Sequence, residues 1–126
     1  MNVNLGIIGY GGMGKWHENN APRVEGVEIK AVCDIDPEKL KDAEGKGYEL
    51  YEDVDALLAN PDINTVLLTV PNHLHKEMTL KAARAGKHII DEKPAALDVA
   101  EFDEMMEAVK ENGVLFTVHQ NRRWDR

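Results

Sequence analysis

Short apolar runs alternate with longer mixed segments from one end of the chain to the other. Val3–Gly9, Glu28–Asp34, Tyr48–Tyr51, Ile63–Val70, His88–Glu92 and Val114–His119 have the length of strands, and most are rich in β-branched residues. INTVLLTV, residues 63–70, is apolar with little interruption, the pattern of a strand buried on both faces. Between these runs the spacing predicts helices. One runs from Gly12 to about Arg23, where Pro22 ends it; a second starts at Pro37, which suits a first helical turn, and reaches about Glu44. Asp53 offers an N-cap for a helix through Ala59, stopped before Pro61, and Asn72 caps a helix that ends at Gly86. Asp98 and Glu101 stand three apart, as in a capping box, at the head of a helix whose apolar positions Val99, Phe102, Met106 and Val109 follow the helical period. Gly113 closes it. Strands that alternate with helices predict an α/β fold, a doubly wound parallel sheet of about six strands with helices on both faces.

Composition narrows the function. With 126 residues, 43% of them hydrophobic, the chain can bury one core. A formal net charge of −8 and the scarcity of Lys/Arg clusters argue against nucleic acid, which demands a basic stripe. No apolar run approaches the roughly 20 residues that span a bilayer, so no membrane partner is expected. A single cysteine, Cys33, forms no internal disulfide, and the N-terminus lacks a signal-peptide pattern, so a cytoplasmic protein is expected. The histidines have no neighbouring carboxylate or cysteine pattern that makes a zinc site, so no metal is expected.

The turn after the first strand changes the picture. GIIGYGGMGKWH, residues 6–17, places Gly9, Gly11 and Gly14 in the spacing G-x-G-x-x-G between a strand and a helix. Gly9 permits the tight turn, Gly11 lets a pyrophosphate approach the backbone, and Gly14 lets helix and strand pack closely. Tyr10, Gly12 and Met13 complete the turn and are expected to face the same ligand, whose phosphates meet the N–H groups at the helix start. An acidic residue roughly 20 positions further on, at the end of the second strand, completes a dinucleotide fingerprint, and Asp34 occupies that place. Its carboxylate accepts from ribose hydroxyls and repels a 2′-phosphate, so NAD is expected over NADP. Asp36, just before Pro37, is more simply the N-cap of the next helix. Together these features predict a Rossmann domain.

GIIGYGGMGKWH, AVCDIDPEK, TVPNHLH (69–75), AGKHIIDEKP (85–94) and HQNRRWDR (119–126) occur in this order. The chain resembles, almost end to end, the N-terminal domain of the Gfo/Idh/MocA oxidoreductases, the family of glucose–fructose oxidoreductase and inositol dehydrogenases. The resemblance implies that Lys93, within Glu92-Lys93-Pro94, is catalytic, lying beside the nicotinamide and the substrate hydroxyl. It also implies that Val70, Pro71, Asn72 and His75 line the dinucleotide cleft, that Glu92 and Lys93 contact the cofactor, and that Asn121 and Arg122 pass near the nicotinamide. Asn72 is at the same time a helix cap, and His75 is equally readable as a polar residue of the first helical turn. Residues 1–120 are then the dinucleotide-binding domain, and 121–126 begin the connection to an α+β substrate domain that these 126 residues do not contain. The implied parent is an NAD-dependent dehydrogenase of sugar, polyol or inositol-like hydroxyls, a homo-oligomer through that second domain, and this piece alone is expected to turn over little or nothing. Two other readings compete. A free-standing NAD(H)-binding regulatory module has no use for Lys93, and a CoA-binding domain would set Asp34 against a ribose phosphate.

Overall fold

A computed structural model describes residues 3–9, 26–69, 74–92 and 99–119. Its elements, in chain order, are β1 (Val3–Ile8), β2 (Val27–Cys33), α1 (Pro37–Leu40, continued by a 3-10 turn over Lys41–Ala43) and β3 (Glu49–Tyr51). They continue with α2 (Val54–Leu58), β4 (Thr65–Leu68), α3 (His75–Arg84), β5 (His88–Glu92), α4 (Val99–Glu111) and β6 (Phe116–His119). The helix expected over 12–23 lies outside the described residues.

The strands form one six-stranded sheet in the order β3-β2-β1-β4-β5-β6, with every neighbouring pair parallel. The order turns back between β1 and β4, so their carboxyl ends stand on either side of the switch where doubly wound sheets take their ligands. The predicted α/β fold is therefore the observed one.

Local chemistry sets the helix ends. Asp36 caps α1 with Oδ1 accepting from Glu38 N–H at 3.0 Å, and Asp53 caps α2 by accepting from Asp55 N–H at 3.0 Å. Gly86, at φ +78°, ends α3: its N–H donates to Ala83 O and Lys87 N–H donates to Ala82 O, both at 3.0 Å. This pair of bonds needs a left-handed residue between them, which glycine supplies without strain. Gly113 closes α4 through the same pattern, with Val114 N–H donating to Val109 O. The N-cap of α3 is Leu74, which makes no side-chain cap bond; Asn72, the expected cap, lies outside the described residues, as does Asp98 ahead of α4.

The sheet separates two apolar layers. On one face Leu5, Ile7, Ile29, Val32 and Leu67 pack with Leu40 and Ala43 from the α1 segment. On the other, Ile8, Ala31, Val66, Leu68 and Ile89 pack beneath Leu57 and Leu58 of α2, Ala82 and Ala83 of α3, and Ala108 of α4. All four residues of β4 are buried, as the uninterrupted apolar run predicts. Gly6, in mid-strand, makes room for a helix: a Cβ there would sit 3.1 Å from Leu57 Cδ2.

The apolar stripe expected on α4 is corrected. Val99 and Phe102 are 76% and 41% exposed, whereas Met105 and Ala108 are buried. Of the expected stripe Val109 does pack against the core, so the inward face is turned away from Val99 and Phe102 towards Met105, Ala108 and Val109. Strand limits also contract, because Ile63, although buried, gives its N–H to Asn60 O in the turn before β4. Leu115, ahead of β6, is exposed, and its N–H donates to His88 Nδ1 at 3.0 Å.

Candidate functional site

Three strand ends build the centre of the switch. β1 delivers Gly9, β2 delivers Asp34 and β4 delivers Thr69. The last ladder bond between β1 and β4 runs from Thr69 N–H to Ile8 O at 2.9 Å. Gly9 then turns to the other side, and its N–H donates to Cys33 O of β2 at 2.8 Å. The head of the glycine turn is thereby bonded to the residue just before Asp34. Gly9 has φ +100°, and a Cβ on it would lie 2.8 Å from Thr69 O and 2.9 Å from Thr69 Oγ1. Conformation and contact both exclude any other residue.

Asp34 is held in place by backbone. Its N–H donates to Tyr51 O at 3.1 Å, and its Oδ1 accepts from Asp36 N–H at 2.9 Å, an Asx turn that fixes the carboxylate rotamer. It is 9% exposed. Burial, then the charges of Asp34 and Asp53, pushes the Cys33 thiol up to about 12. Such a thiol stays protonated and behaves as a small core residue, not a nucleophile.

Among the other residues singled out in the sequence, His75 is the first residue of α3, and Glu92 is the last of β5, in register with His119 of β6. Tyr10, Gly11, Gly12, Met13, Gly14, Val70, Pro71, Asn72, Lys93, Asn121 and Arg122 lie outside the described residues. The structure thus brings Gly9 and Asp34 together and sets the chain segments that lead to Val70 and Lys93 on neighbouring strands, β4 and β5. Thr69 was not singled out in the sequence. A threonine at a strand end is common, and nothing in its local pattern reports a partner on another strand.

Residues 3–120 match the family model described as an oxidoreductase family with an NAD-binding Rossmann fold, GFO_IDH_MocA. The chain belongs to the Gfo/Idh/MocA oxidoreductase family. It is 32% identical over 126 residues to the myo-inositol 2-dehydrogenase of Thermotoga maritima, a match covering 98% of this chain and 38% of that protein. It is also 32% identical over 124 residues to the scyllo-inositol 2-dehydrogenase (NADP(+)) IolW of Bacillus subtilis, covering 98% of this chain and 34% of that one. Among solved structures, an NAD-binding protein from Listeria innocua superposes with a TM-score of 0.92 at 40% identity, covering 99% of this chain and 37% of that one. The chain therefore spans a little over a third of the length of the family members it resembles. As a member of this family it carries the NAD-binding Rossmann domain, and Gly9 and Asp34 follow directly on β1 and β2. Among the described residues no helix is long and apolar enough to cross a membrane.

Proposed function

We propose that this chain is the cofactor-holding part of an NAD-dependent dehydrogenase that oxidises a hydroxyl group of a sugar, polyol or inositol. The observation that carries the reading is the bond from Gly9 N–H to Cys33 O, which ties the glycine turn to the strand end bearing Asp34 at the point where the strand order reverses. A pyrophosphate at the turn and an adenosine ribose at the carboxylate are neighbours in a dinucleotide, and the nearness of the two strand ends supports one as the ligand. Asp34, with its rotamer held by Asp36 N–H, presents fixed acceptors to ribose hydroxyls and negative charge to a 2′-phosphate. NAD is accordingly favoured over NADP. Because one relative is named for NADP(+), this preference rests on Asp34 and not on kinship.

Bound NAD supplies the hydride acceptor. This chain's part in the chemistry falls to Lys93, one residue beyond the end of β5, which in this reading holds the substrate hydroxyl and moves its proton. The substrate class is drawn from inositol dehydrogenases among the relatives, including the two described above. Calorimetric titration of the chain with NADH and NADPH tests the cofactor reading: saturable NADH binding, with NADPH at least about tenfold weaker, is expected. Equal affinities would remove the role given to Asp34. Assay of the natural protein with NAD across inositols and aldoses tests the substrate class, and activity confined to unrelated alcohols would overturn it.

A further inference from the structure

Gly9 is held from both flanking strands, but by two different means. Towards β2 the hold is an ordinary backbone bond, from Gly9 N–H to Cys33 O. Towards β4 the last backbone donor among the described residues, Thr69 N–H, is already taken by Ile8 O. The side chain of Thr69 adds a second hold: its hydroxyl reaches Gly9 O, and Ile8 O lies 3.2 Å from the same oxygen.

We propose that the Thr69 hydroxyl is the positioning group of the glycine turn, fixing the first peptide that leaves β1 by donating its single proton to the Gly9 carbonyl, with the Ile8 carbonyl within reach as a second acceptor. Three observations point the same way. First, the contact joins residues 60 positions apart, so it is built by the fold and not by local chain geometry. Second, Gly9 approaches so closely that a Cβ would collide with Thr69 O at 2.8 Å; the pair is packed as well as bonded. Third, a β-branched side chain has few χ1 states, so little rotamer freedom is lost in holding the hydroxyl on its acceptors. A peptide group is planar, so fixing its carbonyl also fixes the direction of the N–H on its other side. That group opens the stretch in which a phosphate is expected to find its donors. Thr69 is not a catalytic residue in this account: it acts on the cofactor through Gly9.

The effect on the turn stands by itself, and the effect on cofactor affinity rests on the NAD reading above. Two substitutions separate the hydrogen bond from shape. Thr69→Val keeps the β-branched outline and loses the hydroxyl; Thr69→Ser keeps the hydroxyl and loses a methyl. Amide hydrogen exchange of the chain without cofactor, read over residues 9–14, is expected to quicken about tenfold in Thr69→Val and to stay within about twofold of the parent in Thr69→Ser, with exchange in α3 unchanged in both. NADH titration is expected to follow the same order. If Thr69→Val exchanges like the parent over 9–14, or if Thr69→Ser loosens the turn as much as Thr69→Val does, the inference is overturned. A parent chain that binds neither NADH nor NADPH, while Thr69→Val still loosens the turn, removes the cofactor reading and leaves this one standing.

Discussion

Asp34 and Lys87 are buried ionisable side chains at opposite ends of the sheet, and each is held by backbone groups. At the carboxyl end, the Asp34 Oδ1 accepts Asp36 N–H at 2.9 Å, and the proposed function adds ribose hydroxyls to its duties. Asparagine at 34 retains an acceptor for Asp36 N–H and removes the charge; alanine removes both. Calorimetry is expected to give NADH binding weakened about tenfold or more in both variants, because hydrogen bonds to a charged acceptor are the stronger ones. NADPH binding should improve in each, so the gap between the cofactors narrows; an unchanged gap in Asp34→Asn would take the carboxylate out of the ribose site. At the amino end, Lys87 Nζ donates to Asn60 O at 2.8 Å and to Ile63 O at 2.6 Å, tying down the turn that leads into β4. Burial lowers its pKa from the ordinary value of 10.5. The sign of the pH effect follows from proton counts. Between the lowered native value and 10.5 the unfolded chain binds more protons at Lys87 than the native chain does, so this group makes unfolding harder as pH rises through that window. A neutral amine still has donors for both carbonyls. Lys87→Met leaves those carbonyls without this donor and is expected to cost about 1–3 kcal/mol. In urea titrations the margin of the parent over the variant should widen with pH towards 10.5; a margin that narrows would contradict the burial argument.

Helix α4 shows how an element can be legible while its orientation is not. Its existence and its end at Gly113 follow from helical spacing and a left-handed glycine, both local properties of the chain. Which stripe turns inward depends on what lies opposite. The sequence has two apolar stripes one residue apart: Val99, Phe102, Met106 and Val109 are the conspicuous one, but Met105 and Ala108 are the buried residues, and of the first stripe Val109 packs against the core. A small residue next to the sheet lets the helix approach closely, and α3 follows the same rule with Ala82 and Ala83. The stability of the element should therefore depend on the less conspicuous stripe. Met105→Ala is expected to cost about 2–4 kcal/mol through the cavity it leaves. Phe102→Ser should cost under about 1 kcal/mol, because that ring is 41% exposed. Chemical denaturation of the two variants compares the stripes directly, and a larger loss for Phe102→Ser would restore the stripe read from sequence. The caps contrast with the stripe. Asp36 and Asp53 are where the sequence places them, since a side chain that bonds a backbone N–H two residues ahead needs no tertiary partner.

At the scale of the whole molecule, alternation of strand and helix was enough to predict a parallel sheet covered on both faces, because a parallel connection must cross over and must bury a face. The positions of Gly9 and Asp34 just past β1 and β2 were legible for a related reason: a backbone conformation and a fixed distance along the chain mark them. Thr69 was not, since its partner lies 60 positions away and is found only once β1 and β4 are neighbours. The sheet that joins these ends also divides the interior, and β1 shows the division within two residues. Ile7 belongs to the layer that packs with Leu40, and Ile8 to the layer beneath Leu57, although the two are consecutive. Adjacent residues ordinarily couple when both are substituted, because they share neighbours. Here the backbone of the sheet stands between them. Ile7→Val and Ile8→Val are each expected to cost about 1 kcal/mol, and the double substitution should cost their sum to within about 0.5 kcal/mol. Ile7 and Leu67, by contrast, are register partners in one layer, so Ile7→Val combined with Leu67→Ala should depart from the sum by more than that margin. Urea denaturation of these variants measures both couplings on one scale. Strong coupling between Ile7 and Ile8 would mean that strain passes through β1 from one layer to the other, and the two faces would then have to be treated as one core.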